Sequence, residues 1–278
     1  MKISFRKSLA AAAVAFLGLA ALQPGTAASA APARPAAAQA RAVPAFDLRA
    51  DCPKLPDGAE AARWECLVMV VGGGSMKLGG LTQQITQPIK IVAQTGPPAG
   101  GGPNELKQIR MDADPMKVPG GVLALLGVPA PGLEDVPGFK VEIEPHYAGG
   151  FAFALPTAKV DMRVRIINLL LGRSCYIGTE AQPIRFTMIA DMSTIRVISP
   201  GDPADPMGNP FVIGATAADR TFTVPRATCG AFGWPIDWAA GLPSPSGRNE
   251  ATFETYIAVA SYQGGTAALR DPRTLKVG

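Results

Sequence analysis

A regular alternation of apolar and polar residues between Val160 and Val197 constrains the fold of this chain more than any other feature. The apolar residues of its first part occupy every second position: Val160, Met162, Val164 and Ile166. A period of two buries one face of a strand and leaves the other in water. The alternation resumes at Ile184 after Pro183, where a strand can begin without donating a ladder hydrogen bond. We therefore expect this segment to form the central strands of a β-sheet.

The spacing of strand-like segments along the whole chain predicts an all-β protein. About nine or ten short strands follow one another at intervals of roughly 10 to 20 residues with turn signals between them, which favours an antiparallel β-sandwich or open barrel. One or two short helical turns are expected, chiefly from Trp234 to a glycine cap at Gly241. The pentapeptide Gln87 to Ile91 recurs in similar form at Gln182 to Phe186, so two similar halves are an alternative.

The amino terminus has the pattern of a secretory signal peptide. Lys2, Arg6 and Lys7 precede an uncharged run from Leu9 to Leu22, and small residues at Ala28 to Ala30 provide a cleavage site. The run is shorter than the roughly 20 residues that a membrane-spanning helix needs. The first cysteine, Cys52, lies well beyond the cleavage site, so no lipid anchor is expected.

These observations divide the chain into four parts. We expect residues 1–30 to be the signal peptide and residues 31–45 to be a disordered linker rich in Ala and Pro. Residues 46–263 should form the secreted β-rich domain, and residues 264–278 a polar tail. The predicted location is extracellular, and association with the cell envelope is left open.

The charge balance argues against a nucleic-acid-binding protein. The chain has 26 basic and 22 acidic residues, and removing the three basic residues of the signal peptide leaves a net charge of +1. Neither this total nor any run of residues supplies the clustered positive charge that phosphate binding requires. A composition that is 47% hydrophobic and 17% charged is instead typical of a packed globular domain.

Four cysteines in an exported chain predict disulfide bonds. Of the three pairings that can be drawn, we favour Cys52 with Cys66, which closes a short loop beside the first strand. The other pair would then be Cys175 with Cys229, which connects the central sheet to a late segment. A zinc or redox site is the alternative, but the chain lacks a C-x-x-C spacing.

A glycine-rich turn after the first strand invites a test for a nucleotide cofactor. Gly72 to Gly74 follow an apolar run of strand length and should end that strand in a hairpin. The dinucleotide motif G-x-G-x-x-G would need a glycine at Lys77, and the residues that follow resemble another strand rather than a phosphate-binding helix. No cofactor is therefore predicted.

The best catalytic candidates are Glu142, Glu144 and His146, which lie close together in the sequence. Acids two residues apart on a strand are about 6.6 Å apart, near the separation of an inverting glycosidase pair. His146 is the only histidine in the chain, and no G-x-S-x-G motif accompanies it. Ion pairs with Arg163 and Arg165 on a neighbouring strand explain the two glutamates more simply, so no catalytic residue is assigned.

Two further segments are candidates for binding. Asp202, Asp205 and Asn209 could offer oxygen ligands to calcium, but their spacing is not that of an EF-hand, and Asp-Pro steps are ordinary turn chemistry. The apolar segment Val118 to Leu133 is too short to cross a membrane and should form a short strand or a single turn. It could alternatively lead to a cavity for an apolar ligand.

Several motifs resemble those of a family of secreted actinobacterial proteins that has no established function. They are LGRSCYIG at Leu171 to Gly178, QPI at Gln182 to Ile184, VPRATCG at Val224 to Gly230 and LPSPSGRN at Leu242 to Asn249. Such proteins typically have Pro after the asparagine at Asn168 and Gly before the late cysteine, where this chain has Leu169 and Thr228. The resemblance implies an exported, disulfide-bonded, β-rich domain and supplies no catalytic residues.

The leading functional hypothesis is a non-catalytic secreted or cell-surface protein that binds a partner or contributes to the envelope. The partner could be an envelope glycan, a lipid or a protein. A secreted hydrolase acting on glycan or lipid is the second hypothesis, and an apolar-ligand-binding protein is the third. No nucleic acid, cofactor or membrane span is predicted.

Overall fold

The computed structural model describes residues 43–98, 101–125 and 132–263. The predicted signal peptide, the predicted tail and all but the last three residues of the predicted linker lie outside these ranges. The described residues belong to one unit of the chain, which begins at Arg41.

Antiparallel strands are the main secondary structure of this part of the chain, as the alternation predicts. The strands are β1 (Glu65–Leu78), β2 (Leu81–Gln84), β3 (Ile89–Gly96), β4 (Glu105–Ala113), β5 (Met116–Lys117), β6 (Glu142–Ala154), β7 (Thr157–Ile167), β8 (Tyr176–Ile177), β9 (Ile184–Ala190), β10 (Arg196–Ser199), β11 (Val212–Asp219), β12 (Ala227–Thr228) and β13 (Glu250–Ser261). The helices are α1 (Leu48–Asp51), α2 (Gly121–Leu125) and α3 (Gly233–Ala240).

Helical structure is more frequent than the one or two turns expected. Besides the three α-helices, the described residues form short 3₁₀ turns at Ala61–Arg63, Leu133–Asp135, Met192–Thr194 and Gly230–Phe232. None of the described helices has both the length and the apolar character needed to cross a membrane. The predicted turn near Trp234 is α3, and it ends at Gly241 in the left-handed conformation that glycine favours.

The strands form one curled antiparallel sheet, an open barrel. Its path runs from β6 through β7, β9, β11, β13, β1 and β3 to β4. The path is weakest between β9 and β11, which pair only at Ala190 with Ala217 and at Ile189 with Ala218. Strand β4 also lies close to β6, but the described residues form no hydrogen-bonded ladder between these two strands. The two edges of the open barrel therefore meet by packing rather than by hydrogen bonds along this seam.

Strand β1 does not end at the glycines, contrary to the expectation. It continues through Gly72 to Gly74 to Leu78 and pairs with β13 along nearly its whole length, with an irregularity between Val71 and Gly73. A β-carbon at Gly74 would lie 2.1 Å from the Thr252 carbonyl oxygen. The glycines therefore allow β13 to approach closely at a bulge.

The barrel has apolar packing on both sides of strand β1. Leu67 and Met69 belong to the large core inside the barrel, where the apolar residues of β7 and β9 also lie. Val68 and Val70 belong to a smaller cluster outside it, which is covered by Leu48 of α1. A strand that is buried on both faces gives a continuous apolar run in the sequence.

Both disulfide bonds favoured from the sequence are present. Cys52 is bonded to Cys66 and links the end of α1 to β1, while Cys175 is bonded to Cys229. The Cys175–Cys229 bond lies beside the paired strands β8 and β12. It connects the central sheet to the segment that leads into α3. Two disulfides are compatible with an extracellular protein.

Candidate functional site in the barrel lumen

An apolar cavity of about 60 Å³ lies inside the barrel. Its walls come from strands β1, β3, β6, β7, β9, β11 and β13, and its lining includes Met69, Ile91, Phe153, Met188, Ala217 and Ile257. One water molecule needs roughly 10 to 15 Å³ of such space. Because the walls are almost entirely apolar, the cavity suits an apolar group better than water.

The accessible end of this cavity is at the hairpin between β6 and β7. The partly or fully exposed residues Leu155, Pro156, Ala190 and Ile195 contribute to its lining there. The Ala190 amide donates a hydrogen bond to the Pro156 carbonyl at 2.8 Å, which holds the end of β9 against the hairpin. An apolar ligand would therefore enter between the hairpin and the turn that precedes β10.

Exposed apolar side chains also occur in the segment from β9 to β10. Ile189 is at the end of β9, Met192 is in the following 3₁₀ turn and Val197 is in β10, and each is more than half exposed. Large apolar residues that cluster on a surface often mark a contact site for a ligand or a partner. This segment thus carries both residues that line the cavity and exposed apolar residues.

Aromatic side chains fill the other half of the lumen. Phe186 packs against Phe222 with ring centroids 4.4 Å apart and against Phe253 at 6.4 Å. Phe253 also lines the cavity, so the aromatic cluster forms its inner end. Alanines at Ala215 and Ala217 on β11 leave the remaining space unfilled.

The catalytic candidates lie on β6, away from this cavity. Glu144 is opposite Arg165 of β7 and His146 is opposite Arg163. The Glu144 carboxylate is 3.3 Å from Arg165 Nη1 and accepts a hydrogen bond from it. Glu142 instead pairs with Lys140 at 2.8 Å. Both glutamates therefore have cationic partners, although only Glu144 pairs with one of the two arginines expected.

His146 is held by its neighbours rather than directed into the cavity. Its Nε2 atom is 3.2 Å from Glu144 Oε2, but the direction is not that of a hydrogen bond. Its ring meets the edge of Tyr176 at 5.7 Å, and the Arg163 guanidinium lies 4.6 Å from the centre of the same Tyr176 ring. These ring and cation contacts join β6, β7 and β8 on the outer face of the barrel.

Tyr147 is the group near this cluster whose titration is shifted. Burial raises the pKa of its phenol above the usual 10.0, and the negative charge of Asp161 adds to the increase. The phenol therefore stays protonated at neutral pH. Tyr147 therefore lacks the lowered pKa that would make its phenol a nucleophile.

The predicted calcium residues are engaged in turns. Asp202 accepts a hydrogen bond from the Ala204 amide at 2.8 Å, and Asp205 accepts one from the Gly208 amide at 3.0 Å. Asp205 also forms an ion pair with Arg49, and the Asn209 backbone closes the loop with Asp202. Across the described ranges, no group of three or more His, Cys, Asp or Glu residues is arranged to hold a metal ion.

The described part of the segment Val118 to Leu133 does not reach the cavity. Its described part forms α2, the single-turn alternative, and Val118 is buried in the main core. None of its described residues contributes to the lining of the lumen. Residues 126–131 of this segment lie outside the described ranges.

Sequence reasoning missed the residues that create the cavity. Phe151 and Phe153 alternate on β6 as an inward-facing pair would, and Ala215 and Ala217 alternate on β11. Small residues at inward positions opposite bulky ones are a usable signal of unfilled space. Using that signal requires knowing which strands face each other.

Comparisons of the chain with protein-family models, with curated proteins and with solved structures give no match. The functional argument therefore depends on the geometry of the site.

Proposed function

We propose that this protein is a secreted, non-catalytic binding protein that holds an apolar chain in the lumen of its barrel. The observation that carries the proposal is the apolar cavity, which lies beyond the aromatic cluster and is accessible at the β6–β7 hairpin. Small barrels with a partly filled interior commonly hold one small ligand. The signal-peptide pattern and the resemblance to secreted actinobacterial proteins support export.

The shape of the cavity favours the end of an alkyl or acyl chain. Phe153 and Met188 line a space too small for a large ring system, and Phe253 limits its depth. A chain inserted from the hairpin would place its terminal methylene groups in the lumen and its polar head near the entrance. Each buried methylene contributes about 0.8 kcal/mol to binding, which is a sufficient driving force without a polar anchor.

The hydrolase alternative has less support from the geometry. Glu142 and Glu144 are each paired with a cation, and His146 forms a T-shaped ring contact with Tyr176. The cavity that could hold a lipid has none of these three residues in its lining. Binding rather than turnover is therefore the function that the site supports best.

A series of straight-chain alcohols of increasing length tests this proposal by calorimetric titration. Affinity should rise about fourfold for each added methylene and then level off once the lumen is full. Ala217→Leu places extra carbons in the cavity and should lower the affinity and move the plateau to shorter chains. Ala218→Leu is the matched control, because Ala218 is the next residue of β11 and is not part of the lining.

Comparison of Ala217→Leu with Ala218→Leu distinguishes binding in the lumen from binding elsewhere on the protein. Binding that is weakened by Ala217→Leu and unchanged by Ala218→Leu supports the lumen as the site. Absence of saturable binding for all chain lengths would refute the proposal. Equal effects of the two variants would also refute it, because the ligand would then be bound elsewhere.

A further inference from the structure

A second concave site lies on the outside of the barrel, beside helix α3. It is a cleft of about 720 Å³, and its lining includes Lys77, Gly79, Arg220, Trp238, Arg248 and Glu250. We refer to these residues as the tryptophan groove. Unlike the lumen, this groove combines an aromatic ring with several charged groups, so it would recognise a different kind of ligand.

The floor of the groove is rigid because Asn249 connects its parts. The Asn249 side chain is buried, accepts a hydrogen bond from the Gly79 amide at 2.9 Å and donates one to the Pro245 carbonyl at 2.9 Å. Gly79 has a positive φ, and a β-carbon there would lie 2.4 Å from the Ala240 carbonyl oxygen. The turn between β1 and β2 is thus packed directly against the end of α3.

Helix α3 presents two tryptophans on its solvent face. Trp234 is 73% exposed and Trp238 is 68% exposed, and a separation of four residues places them on the same side of a helix. The opposite side carries the buried residues Ile236 and Ala240, and the helix is also held by the buried carboxylate of Asp237, which accepts a hydrogen bond from the Ala227 amide at 2.7 Å. Exposed tryptophan is unusual unless it contacts a ligand or a partner.

The charge of the groove is positive. Arg220 is paired with Glu250, with Nη2 2.8 Å from Oε1. Lys77 and Arg248 form no ion pair with any residue that the structure describes. Two cations are therefore available to an anionic group that enters the groove.

We propose that the tryptophan groove binds an acidic saccharide. One sugar ring would stack its apolar C–H face on the indole of Trp238, and its carboxylate or phosphate would bind Lys77 and Arg248. Trp234, one helical turn away, offers a second platform about 6 Å along the helix axis. A sugar ring with a hydroxyl rim matches this mixture of a flat apolar face and polar edges better than an acyl chain does.

Tryptophan fluorescence titration with tetragalacturonate and with glucose 6-phosphate tests the proposal for carboxylated and phosphorylated sugars. Saturable quenching by either acidic sugar is expected, together with much weaker binding of methyl-esterified tetragalacturonate and weaker binding at higher salt. Trp238→Ala and the double variant Lys77→Gln/Arg248→Gln should each weaken binding by about tenfold or more. These side chains are exposed, so the variants should keep the melting temperature of the parent protein.

Matched controls separate the groove from general surface effects. Phe232→Ala removes an exposed aromatic side chain just before α3, and Arg173→Gln removes an exposed arginine outside the groove. Both should bind the acidic sugar within about twofold of the parent protein. The proposal fails if neither acidic sugar binds, or if Trp238→Ala binds as well as Phe232→Ala.

Two other probes identify the competing explanations. Inorganic polyphosphate that binds as tightly as the sugars would reduce the groove to an anion site and overturn the saccharide proposal. Binding to phosphatidylglycerol vesicles that depends on Trp238, without binding to either sugar, would overturn it in favour of a membrane contact. Because the lumen is not involved, these results are independent of the alcohol titration.

Discussion

Strand β1 has two buried faces, and the barrel covers them in different ways. On the outer face, Val68 and Val70 are covered by α1, whose residue Leu48 is fully buried. On the inner face, Leu67 and Met69 face the lumen, where Met69 borders unfilled space. The outer cluster therefore depends on a short covering segment, and the inner cluster depends on side chains from the whole sheet.

The outer and inner faces of β1 are stabilised by different interactions. The covering segment is attached by the Cys52–Cys66 bond and by an ion pair of 2.6 Å between Lys90 and Asp51. The lumen is stabilised at one end by the aromatic cluster around Phe186 and is left open at the other. This fold therefore has a covalent crosslink where its covering segment is small and retains a cavity where its core is large.

The largest effect on stability is expected in the filled half of the lumen. Phe186 is 1% exposed, and Phe186→Ala should lower the free energy of unfolding by about 3 to 5 kcal/mol, because it removes a ring and leaves a void. Urea unfolding of the oxidised protein measures the change. Ile189→Ala, at an exposed position of the same strand, should change it by about 0.5 kcal/mol or less. Equal losses for the two variants would contradict the role given to the aromatic cluster.

Removal of each disulfide bond should destabilise a different face of the barrel. Cys52→Ser/Cys66→Ser opens a loop of sequence separation 14 and should cost about 3 kcal/mol. Cys175→Ser/Cys229→Ser, with separation 54, should cost about 4 kcal/mol. Urea unfolding gives these totals.

Hydrogen exchange then locates the loss caused by each disulfide variant. Exchange at Leu48 should accelerate in the Cys52→Ser/Cys66→Ser variant, whereas amides of β8 and β12 should accelerate in the other. The same exchange pattern in both variants would show that the two faces are not stabilised separately.

A smaller effect is expected in the open half of the lumen. Met188 lines the cavity, so Met188→Ala should cost about 2 kcal/mol, at the low end for a buried methionine, because its surroundings already include empty space. The same change should let longer alcohols bind before the affinity levels off. Leu170→Ala, at a position 65% exposed and outside the lining of the cavity, is the control and should leave both quantities unchanged. A loss as large as that of Phe186→Ala would show that the lumen is filled throughout.

The smallest effect concerns Tyr262, which packs against the outer cluster. Its hydroxyl donates a hydrogen bond of 2.8 Å to the Pro53 carbonyl, so Tyr262→Phe should cost about 1 kcal/mol at neutral pH. Burial raises the pKa of this phenol above 10.0, although a hydrogen bond from Gln94 opposes the shift. The folded state therefore favours the protonated phenol.

The sign of the pH dependence follows from that shift. The pKa of the Tyr262 phenol is higher in the folded state than in the unfolded state, where it is 10.0. The phenol therefore contributes fully to stability below pH 10.0, and this contribution is lost as the pH rises through the pKa of the folded state. The parent protein should lose stability as the pH rises above about 10, and Tyr262→Phe should lose less. Thermal unfolding at several pH values measures both slopes, and identical slopes would refute this role for Tyr262.

The sequence predicts the fold well where one face of a strand is exposed to solvent. On β7 and β9 the alternation identifies the inward residues, including Val160 and Phe186, because their neighbours in the sequence are polar. On β1 both faces are apolar, so the run from Leu67 to Val71 contains no information about which residues face the lumen. The continuation of β1 through Gly74 depends on β13, a strand far away in the sequence.

The candidate sites are less predictable for the same reason. The lumen is open because Ala217 of β11 lies opposite the wall formed by β6, and that relationship depends on the curvature of the whole sheet. The local sequence predicts helix α3 and its glycine cap. The exposure of Trp238, however, depends on which face of this helix packs against the barrel. Non-local packing therefore determines both sites.

The most direct test of the half-filled lumen is a crystal structure of the protein under xenon pressure. Xenon binds in dry apolar cavities, so a xenon atom is predicted between Phe153, Met188 and Ala217, and it should be absent from crystals of Ala217→Leu. Ordered water in that space, or side chains that fill it without xenon, would contradict the proposal that the lumen is an apolar binding site.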